Sequence, residues 1–267
     1  MSSTQETRTP WDAASVAEEL LARERERREG GRLTDERPGL DLDLAYAAQD
    51  VYLARRVGAG KRLVGVKLGL TSVAKQQRMG ITAPLTAWLT DAMELEPEQP
   101  VEVSSLLHPR VEPEIVFVMG ERLAGPGVTT RQALAAVERV HAGLEVIDSR
   151  YRDFSFALPD VVADNASSSR FVVSPLSVAP DELDLVLEGC TLSVDGAVAA
   201  TATGAAVQGH PAAALALAAN ALAERGLAIE AGQVVLTGGL TDAEHLRPGS
   251  VVTAEFATLG RVDLAGV

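Results

Sequence analysis

Hydrophobic positions in this chain follow two different periods. Near the start, Trp11, Val16, Leu20 and Leu21 recur at helical spacing, the run from Arg23 to Arg28 alternates in charge, and Gly30-Gly31 ends the pattern. The first forty residues therefore read as an amphipathic helix and a loop, with the charge run as its solvated face. Asp41 is placed to cap a second helix running to about Arg56, with Leu42, Tyr46 and Leu53 on one side. From Leu63 onward short β-rich runs take over: LVGVKLGL, VEPEIVFVM, GLEVIDSR, SRFVVS, LDLVLEGCTLSVDG, QVVLTGGL and SVVTAEFATLGRVDL, separated by Pro, Gly and Asp turns. Asp195-Gly196 is a hairpin signal. Two helical inserts are predicted, Thr130 to Ala142 and Pro211 to Arg225, the second with Pro in its first turn and Gly226 past its end. Strands in runs with segregated helices indicate an α+β class, without a regular βαβ alternation or an internal repeat. No low-complexity linker divides the second part, so the predicted organisation is a helical region over 1–60 and one β-rich domain over 61–267.

Composition narrows the picture. With 267 residues, 46% hydrophobic and 23% charged, there is material for one large globular domain or two small ones, but aromatics at 4% mean a core of Ala, Val and Leu. No apolar run reaches the ~18 to 20 residues of a membrane span, and the N-terminus lacks a basic region followed by an apolar stretch. The expectation is a soluble, cytoplasmic protein. A single cysteine, Cys190, excludes an intramolecular disulfide framework and a multi-cysteine zinc site, and reads as a small buried hydrophobe more readily than as a nucleophile. The net charge of −13 argues against nucleic acid or an anionic membrane as partner. An anionic substrate would have to be held by a local basic group or a metal. Arginines 78, 110, 150, 152 and 170 are available to offset the field, although arginine is more often simply exposed.

Candidate chemistry is sparse, which makes it readable. Gly58-Ala59-Gly60-Lys61 is no phosphate loop, because Arg55 and Arg62 stand where that motif needs a glycine and a hydroxyl. The histidines at 108, 141, 210 and 245 are scattered, without the close spacing of zinc ligands, and Gly238-Gly239 alone is only a turn. In VEPEIVF, however, Glu112 and Glu114 are two apart in a strand and project from one face of an otherwise apolar run. They repel unless a cation sits between them or the face is wet. Glu145 interrupts GLEVIDSR in the same way. Three carboxylates from two strands, without cysteine or a histidine pair, make a hard oxygen site suited to Mg²⁺ or Mn²⁺. Lys67 in VGVKLGLTS lies between apolar residues, so it either snorkels to the surface or serves chemistry.

Taken together, KLGLTS (67–72), LTDAM (89–93), HPRVEPEIVFVMG (108–120), GLEVIDSRYRDFSF (143–156), VVADNASSSRFV (161–172), GHPAAALALAANALAERG (209–226), LTGGLT (236–241) and PGSVVTAEFATLGRV (248–262) resemble the fumarylacetoacetate hydrolase superfamily. Within it they resemble the family of 2-keto-4-pentenoate hydratases and 4-oxalocrotonate decarboxylases. The resemblance implies a mixed β-roll of the fumarylacetoacetate hydrolase type with an N-terminal helical region, and a catalytic domain over 61–267. It implies a divalent metal on Glu112, Glu114 and Glu145, with Lys67 and Asp91 as catalytic groups. Leu68, Ser72, Trp88, Asp164, Asn165, Ser167, Thr237 and Gly238 are implied to bind substrate, a small 2-oxo acid. The LTD, DSRYRDFSF and ADNASSSRFV stretches look more like the decarboxylase branch, which implies decarboxylation of a 2-oxo-3-enedioate to a 2-hydroxydienoate. The alternatives are hydration of 2-hydroxypenta-2,4-dienoate, or a non-catalytic or biosynthetic relative. GITAPLTAWLTD departs from the decarboxylase pattern, placing Thr86, Ala87 and Trp88 where an aromatic residue and glycine are expected at the substrate wall. A homo-oligomer is expected, from the resemblance and from the Ala/Leu-rich helix, which could equally pack on its own domain. A complex with the companion hydratase or decarboxylase of the same pathway is a further expectation.

Overall fold

The two helices predicted near the N-terminus form as α1 (Ala13–Glu26) and α3 (Leu42–Gly58), with one turn, α2 (Leu33–Glu36), between them. Asp12 starts α1 by accepting the Ser15 N–H at 2.8 Å, and Asp41 starts α3 by accepting that of Leu44 at 2.9 Å. The computed structural model describes residues 12–36 and 39–267, with the side chains at 75 and 78 left out, so Trp11 of the predicted stripe and the Arg78 side chain lie outside it. The apolar face made by Val16, Leu20, Leu33, Ala45 and Ala48 is covered by Val161 and Val162 of α6 (Leu158–Ala163), which packs the helical region onto the β-rich part.

The strands are β1 (Leu63–Gly69), β2 (Leu85–Thr90), β3 (Glu94–Leu95), β4 (Arg110–Met119), β5 (Val137–Ile147), β6 (Ser168–Val178), β7 (Gly189–Val194), β8 (Ala197–Thr203), β9 (Val234–Leu236), β10 (Glu244–His245), β11 (Val251–Phe256) and β12 (Gly260–Ala265). They make two sheets. The larger runs β2-β1-β9-β4-β5-β6-β3 with β10 beside β4, and is mixed, since β1 and β9 are parallel, as are β3 and β6. The smaller is the antiparallel β12-β11-β7-β8. Between the sheets lies a core of Val, Leu and Ala, as the shortage of aromatics requires. Asp195 and Gly196, both with positive φ, turn β7 into β8 as the hairpin signal predicts. The remaining helices are α4 (Val73–Met79), α5 (Thr130–Ala135) and α7 (Pro211–Glu224). Among the described residues no helix is long and apolar enough to cross a membrane.

One expectation changes and one open alternative is decided. The helix predicted over Thr130 to Ala142 stops with α5, and Val137 to Ala142 instead begin β5, paired with the second half of β4 across a register shift between Val118 and Met119. Val137, Val140 and Ala142 are buried there, and a ladder against an apolar central strand outweighs a weak helical period. The Ala/Leu-rich helix is α7, and Ala214, Leu215, Ala218 and Leu222 are buried in its own domain's core, one of the two placements its composition left open.

A gap in the larger sheet positions the candidate site. Along one edge of β4, β9 pairs with Val116 to Val118 and β10 with Arg110 and Val111, which leaves a gap between them. The loop over residues 237–243 crosses that gap, its Thr237 N–H donating to the Ile115 carbonyl and its Leu240 N–H to the Pro113 carbonyl. Pro113 is tolerated inside a central strand because its missing N–H would point to this loop and not into the ladder with β5.

Candidate active site

Strand alternation puts Arg110, Glu112 and Glu114 on one face of β4, and the register sets Glu112 directly across from Glu145 on β5. One carboxylate oxygen from each of Glu112, Glu114 and Glu145 lies within 4.8 Å of the others. Two glycines let the 237–243 loop close over them. At Gly238, φ is +109° and a Cβ would sit 2.0 Å from Thr71 Oγ1, so only glycine can bring its N–H to Glu114 Oε2, at 2.7 Å. At Gly239 a Cβ would lie 2.7 Å from the carboxyl carbon of Glu112. Lys67, on β1, reaches under the cluster. Its Nζ donates to Glu145 Oε2 at 2.8 Å and to the Ala166 carbonyl at 2.9 Å, while Ser168 Oγ donates to Glu145 Oε1 at 2.7 Å.

The electrostatics are those of a site built around a cation. Burial, then the charges of Glu145 and Glu112, push the Glu114 carboxyl well above the usual carboxylate range. Burial works against the charge on Lys67, but Glu145, Glu112 and Glu114 outweigh it and hold the ammonium above the usual lysine range. Among the described residues, the Lys67 ammonium forms an ion pair with Glu145 alone of the three. The second oxygen of Glu114, Oε1, is buried without a hydrogen-bond partner, which is costly unless a ligand meets it. Three hard oxygens, one of them orphaned, and a loop that leaves room at Glu112 fit a divalent cation such as Mg²⁺ or Mn²⁺.

The cluster opens into a cavity of about 560 Å³, a size suited to a small molecule. Lys67, Arg110, Glu112, Asp242, Thr71 and Ser167 give it polar lining. Leu85, Ile147, Phe154, Phe156 and Val161 form an apolar one.

Of the residues expected from the sequence, the structure brings together Lys67, Glu112, Glu114, Glu145, Leu68, Ser167 and Gly238. Leu68 contributes to the lining although it is buried in the main core. Others stand behind the wall. Asn165 is pinned to β2, its Oδ1 accepting the Trp88 N–H and its Nδ2 donating to the Trp88 carbonyl, both at 2.9 Å. Asp164 is fully buried against Arg150, whose Nε donates to it, and burial raises its pKa to about 6. Thr237 Oγ1 donates to the Ile115 carbonyl at 2.7 Å, and the Ser72 carbonyl accepts the Gln76 N–H at the start of α4. These groups hold the loops in place.

Two expected residues are displaced from the site. Trp88 pairs with Val66, not with Lys67, so its indole faces the main core on the other side of β2, and its Nε1–H approaches Asp50 at 3.4 Å; Ala87 is the residue opposite Lys67. Asp91 follows the end of β2 and is committed to Arg62 at 3.0 Å on the surface. Among the arginines with described side chains, Arg152 pairs with Glu29, Arg170 bonds to Ser169, and only Arg110 lines this cavity. Cys190 is buried in the core, and burial pushes its thiol up to about 12, as befits an inert residue. Sequence reasoning missed Ser168, Thr71, Gly239, Phe154 and Phe156. Each lies within or beside a motif quoted above, but nothing in the residue types signals which ones face the cavity.

Comparison with known proteins gives a consistent result. Residues 63–264 match the fumarylacetoacetate (FAA) hydrolase C-terminal family. A 4-oxalocrotonate decarboxylase from a Pseudomonas species is 44% identical over 221 residues, covering 83% of this chain and 85% of its own. A 2-keto-4-pentenoate hydratase from Paraburkholderia xenovorans is 35% identical over 254 residues, covering 95% and 94%. Among solved structures, 4-oxalocrotonate decarboxylase from Pseudomonas putida, complexed with magnesium and adipate, superposes with a TM-score of 0.93 at 37% identity over 96% of this chain and 97% of that one. With the strand-borne carboxylates, the lysine and the mixed sheet that carries them, the chain belongs to the fumarylacetoacetate hydrolase family.

Proposed function

We infer that this protein is a divalent-metal-dependent carbon–carbon lyase that removes the distal carboxylate of a 2-oxo-3-enedioate and leaves a 2-hydroxydienoate. The observation that carries the reading is the cluster of Glu112, Glu114 and Glu145 beside Lys67 at the wall of a small-molecule cavity. Decarboxylases match at 38–44% identity and hydratases at 35–40%, and with the superposition on a decarboxylase this supports decarboxylation over hydration.

A divalent ion held by the three glutamates would supply Lewis acidity to the keto oxygen of a chelating 2-oxo acid. The chain's own residues supply the rest. Lys67 has three N–H donors and uses two, on Glu145 and the Ala166 carbonyl, which leaves one for an oxygen in the cavity. Because the carboxylates keep its ammonium charged, it offers positive charge and a proton to the keto oxygen as electrons arrive there. In 2-oxohex-3-enedioate the C5–C6 bond breaks and its pair forms C4=C5. The C3=C4 pair moves to C2=C3, and the carbonyl pair moves onto oxygen, where the proton is taken up. Leu85, Phe154, Phe156 and Val161 keep the middle of the cavity apolar, which restricts water at the conjugated chain.

Release of CO₂ from 2-oxohex-3-enedioate with Mg²⁺, and its loss with a chelator, tests the assignment. Water addition to 2-hydroxypenta-2,4-dienoate without CO₂ release would replace it with the hydratase reading. No spectral change with either compound and no metal-dependent rise in melting temperature would leave a non-catalytic relative. Assembly into a homo-oligomer and a complex with a companion enzyme are part of the same proposal and rest on family membership.

A further inference from the structure

Two residues before Glu112, the same face of β4 carries a charge of the opposite sign. Arg110 lines the cavity together with Glu112, one strand repeat of about 7 Å away. Its guanidinium carbon lies 4.3 Å from the centroid of the Phe154 ring, a contact that holds the group by its flat face and leaves its edge N–H groups for other partners. Arg110 Nε is buried and has no hydrogen-bond partner. Among the described residues no carboxylate lies within ion-pair distance of Arg110, in contrast to Arg150, which is saturated by Asp164 and the Asp148 carbonyl. A guanidinium that lines a cavity, is stacked on an aromatic ring and has no carboxylate partner among the described residues is suited to an anionic ligand oxygen.

We propose that Arg110 receives the distal carboxylate of the substrate and so selects diacids over monoacids. This rests on the reading above, in which the 2-oxo acid end lies at the three glutamates. One strand repeat of about 7 Å spans the roughly 5 Å between the keto carbon and the distal carboxyl carbon once a hydrogen bond at the carboxylate is added. The chemistry also fixes what kind of contribution Arg110 makes. As the C5–C6 bond breaks, negative charge leaves the distal carboxylate for the keto oxygen, and the departing CO₂ is neutral. Arg110 therefore holds the ground state more tightly than the transition state. It is a specificity and orienting residue, and its loss appears in KM before kcat.

The test uses two saturated probes with the same 2-oxo acid head and chain length, 2-oxohexanedioate and 2-oxohexanoate, bound in Mg²⁺ to the wild-type protein, Arg110→Lys and Arg110→Met by calorimetry. The wild type is expected to prefer the diacid by roughly tenfold or more. Arg110→Met should lose that preference through the diacid alone, with monoacid affinity and the Mg²⁺-induced rise in melting temperature retained, and Arg110→Lys should keep part of it. In turnover, KM for 2-oxohex-3-enedioate should rise about tenfold in Arg110→Met while kcat stays within a few-fold. Equal weakening of both probes would place Arg110 on the shared head and overturn the proposal, as would no change in either. A wild type that binds both probes equally overturns the proposal alone, whereas one that binds neither overturns the 2-oxo acid reading with it.

Discussion

Glu114 is held in a position that its charge opposes: wholly buried, close to two other carboxylates, with one oxygen capped by the Gly238 N–H and the other unmet. Glu114→Gln should therefore have opposite effects with and without metal. The metal-free variant should melt no lower than wild type, because repulsion is relieved, while affinity for Mg²⁺ falls by at least about tenfold and the metal-induced rise in melting temperature shrinks with it. Thermal melts across a Mg²⁺ titration read both quantities, and an unchanged affinity would remove Glu114 from the metal site. Lys67 is the counterpart. Lys67→Met keeps the aliphatic stem but leaves Glu145 without its ammonium, so the metal-free protein should lose up to about 3–5 kcal/mol of stability. Added Mg²⁺ should recover part of that loss, because it supplies positive charge to the same carboxylates, yet turnover should remain depressed by about 10² to 10⁴. Near wild-type turnover in the metal-loaded variant would make the lysine a structural residue only.

At the level of elements, the site depends on loops that are locked from behind. Asn165 borrows both backbone groups of Trp88, and Gly238 delivers its N–H at a φ other residues avoid. Trp88 itself belongs to the core side of β2. Trp88→Ala is accordingly expected to lower stability by about 3–5 kcal/mol, as large-to-small core changes do, and to leave the relative kcat/KM for diacids of different length unaltered. A shift in chain-length preference in that variant would return Trp88 to the substrate wall. The strands carrying Glu112, Glu114 and Glu145 were legible because each glutamate breaks an apolar run. β2 was not, since LTAWLT is buried on both faces and has no alternation to read. The start of β5 was misread because Val137 and Val140 are three apart, a helical spacing that the pairing with β4 overrides.

Across the whole molecule, charge joins the two long N-terminal helices to each other and draws in Arg150 from the β-rich part. Glu24 of α1 accepts Arg56 Nη2 at 2.5 Å and the Tyr52 hydroxyl at 3.0 Å, both from α3. Burial opposes its charge, but Arg150 and Arg56 outweigh it and hold its carboxyl below the ordinary value of 4.5. In that acid window the unfolded chain binds more protons, so stability rises with pH and is lost as pH falls. Melting temperature should drop on acidification below 4.5, and Glu24→Gln should flatten that slope and lower the neutral-pH value. Light scattering tests assembly, and a 28 kDa particle across micromolar concentrations would reject the oligomer. The sequence by itself determined the α+β class, most strands, and the three carboxylates and lysine that cluster in the fold, because these depend on residue type and on a period of two, both of which are local. Only the tertiary structure decided that Trp88 and Asp91 lie away from the cavity, that Asp164, Asn165 and Thr237 brace it, and that Arg110 opens onto it unpaired. Which face of a strand is covered, and by what, is set by register and by the loop that fills a gap in a sheet, and those are contacts between residues far apart in the chain.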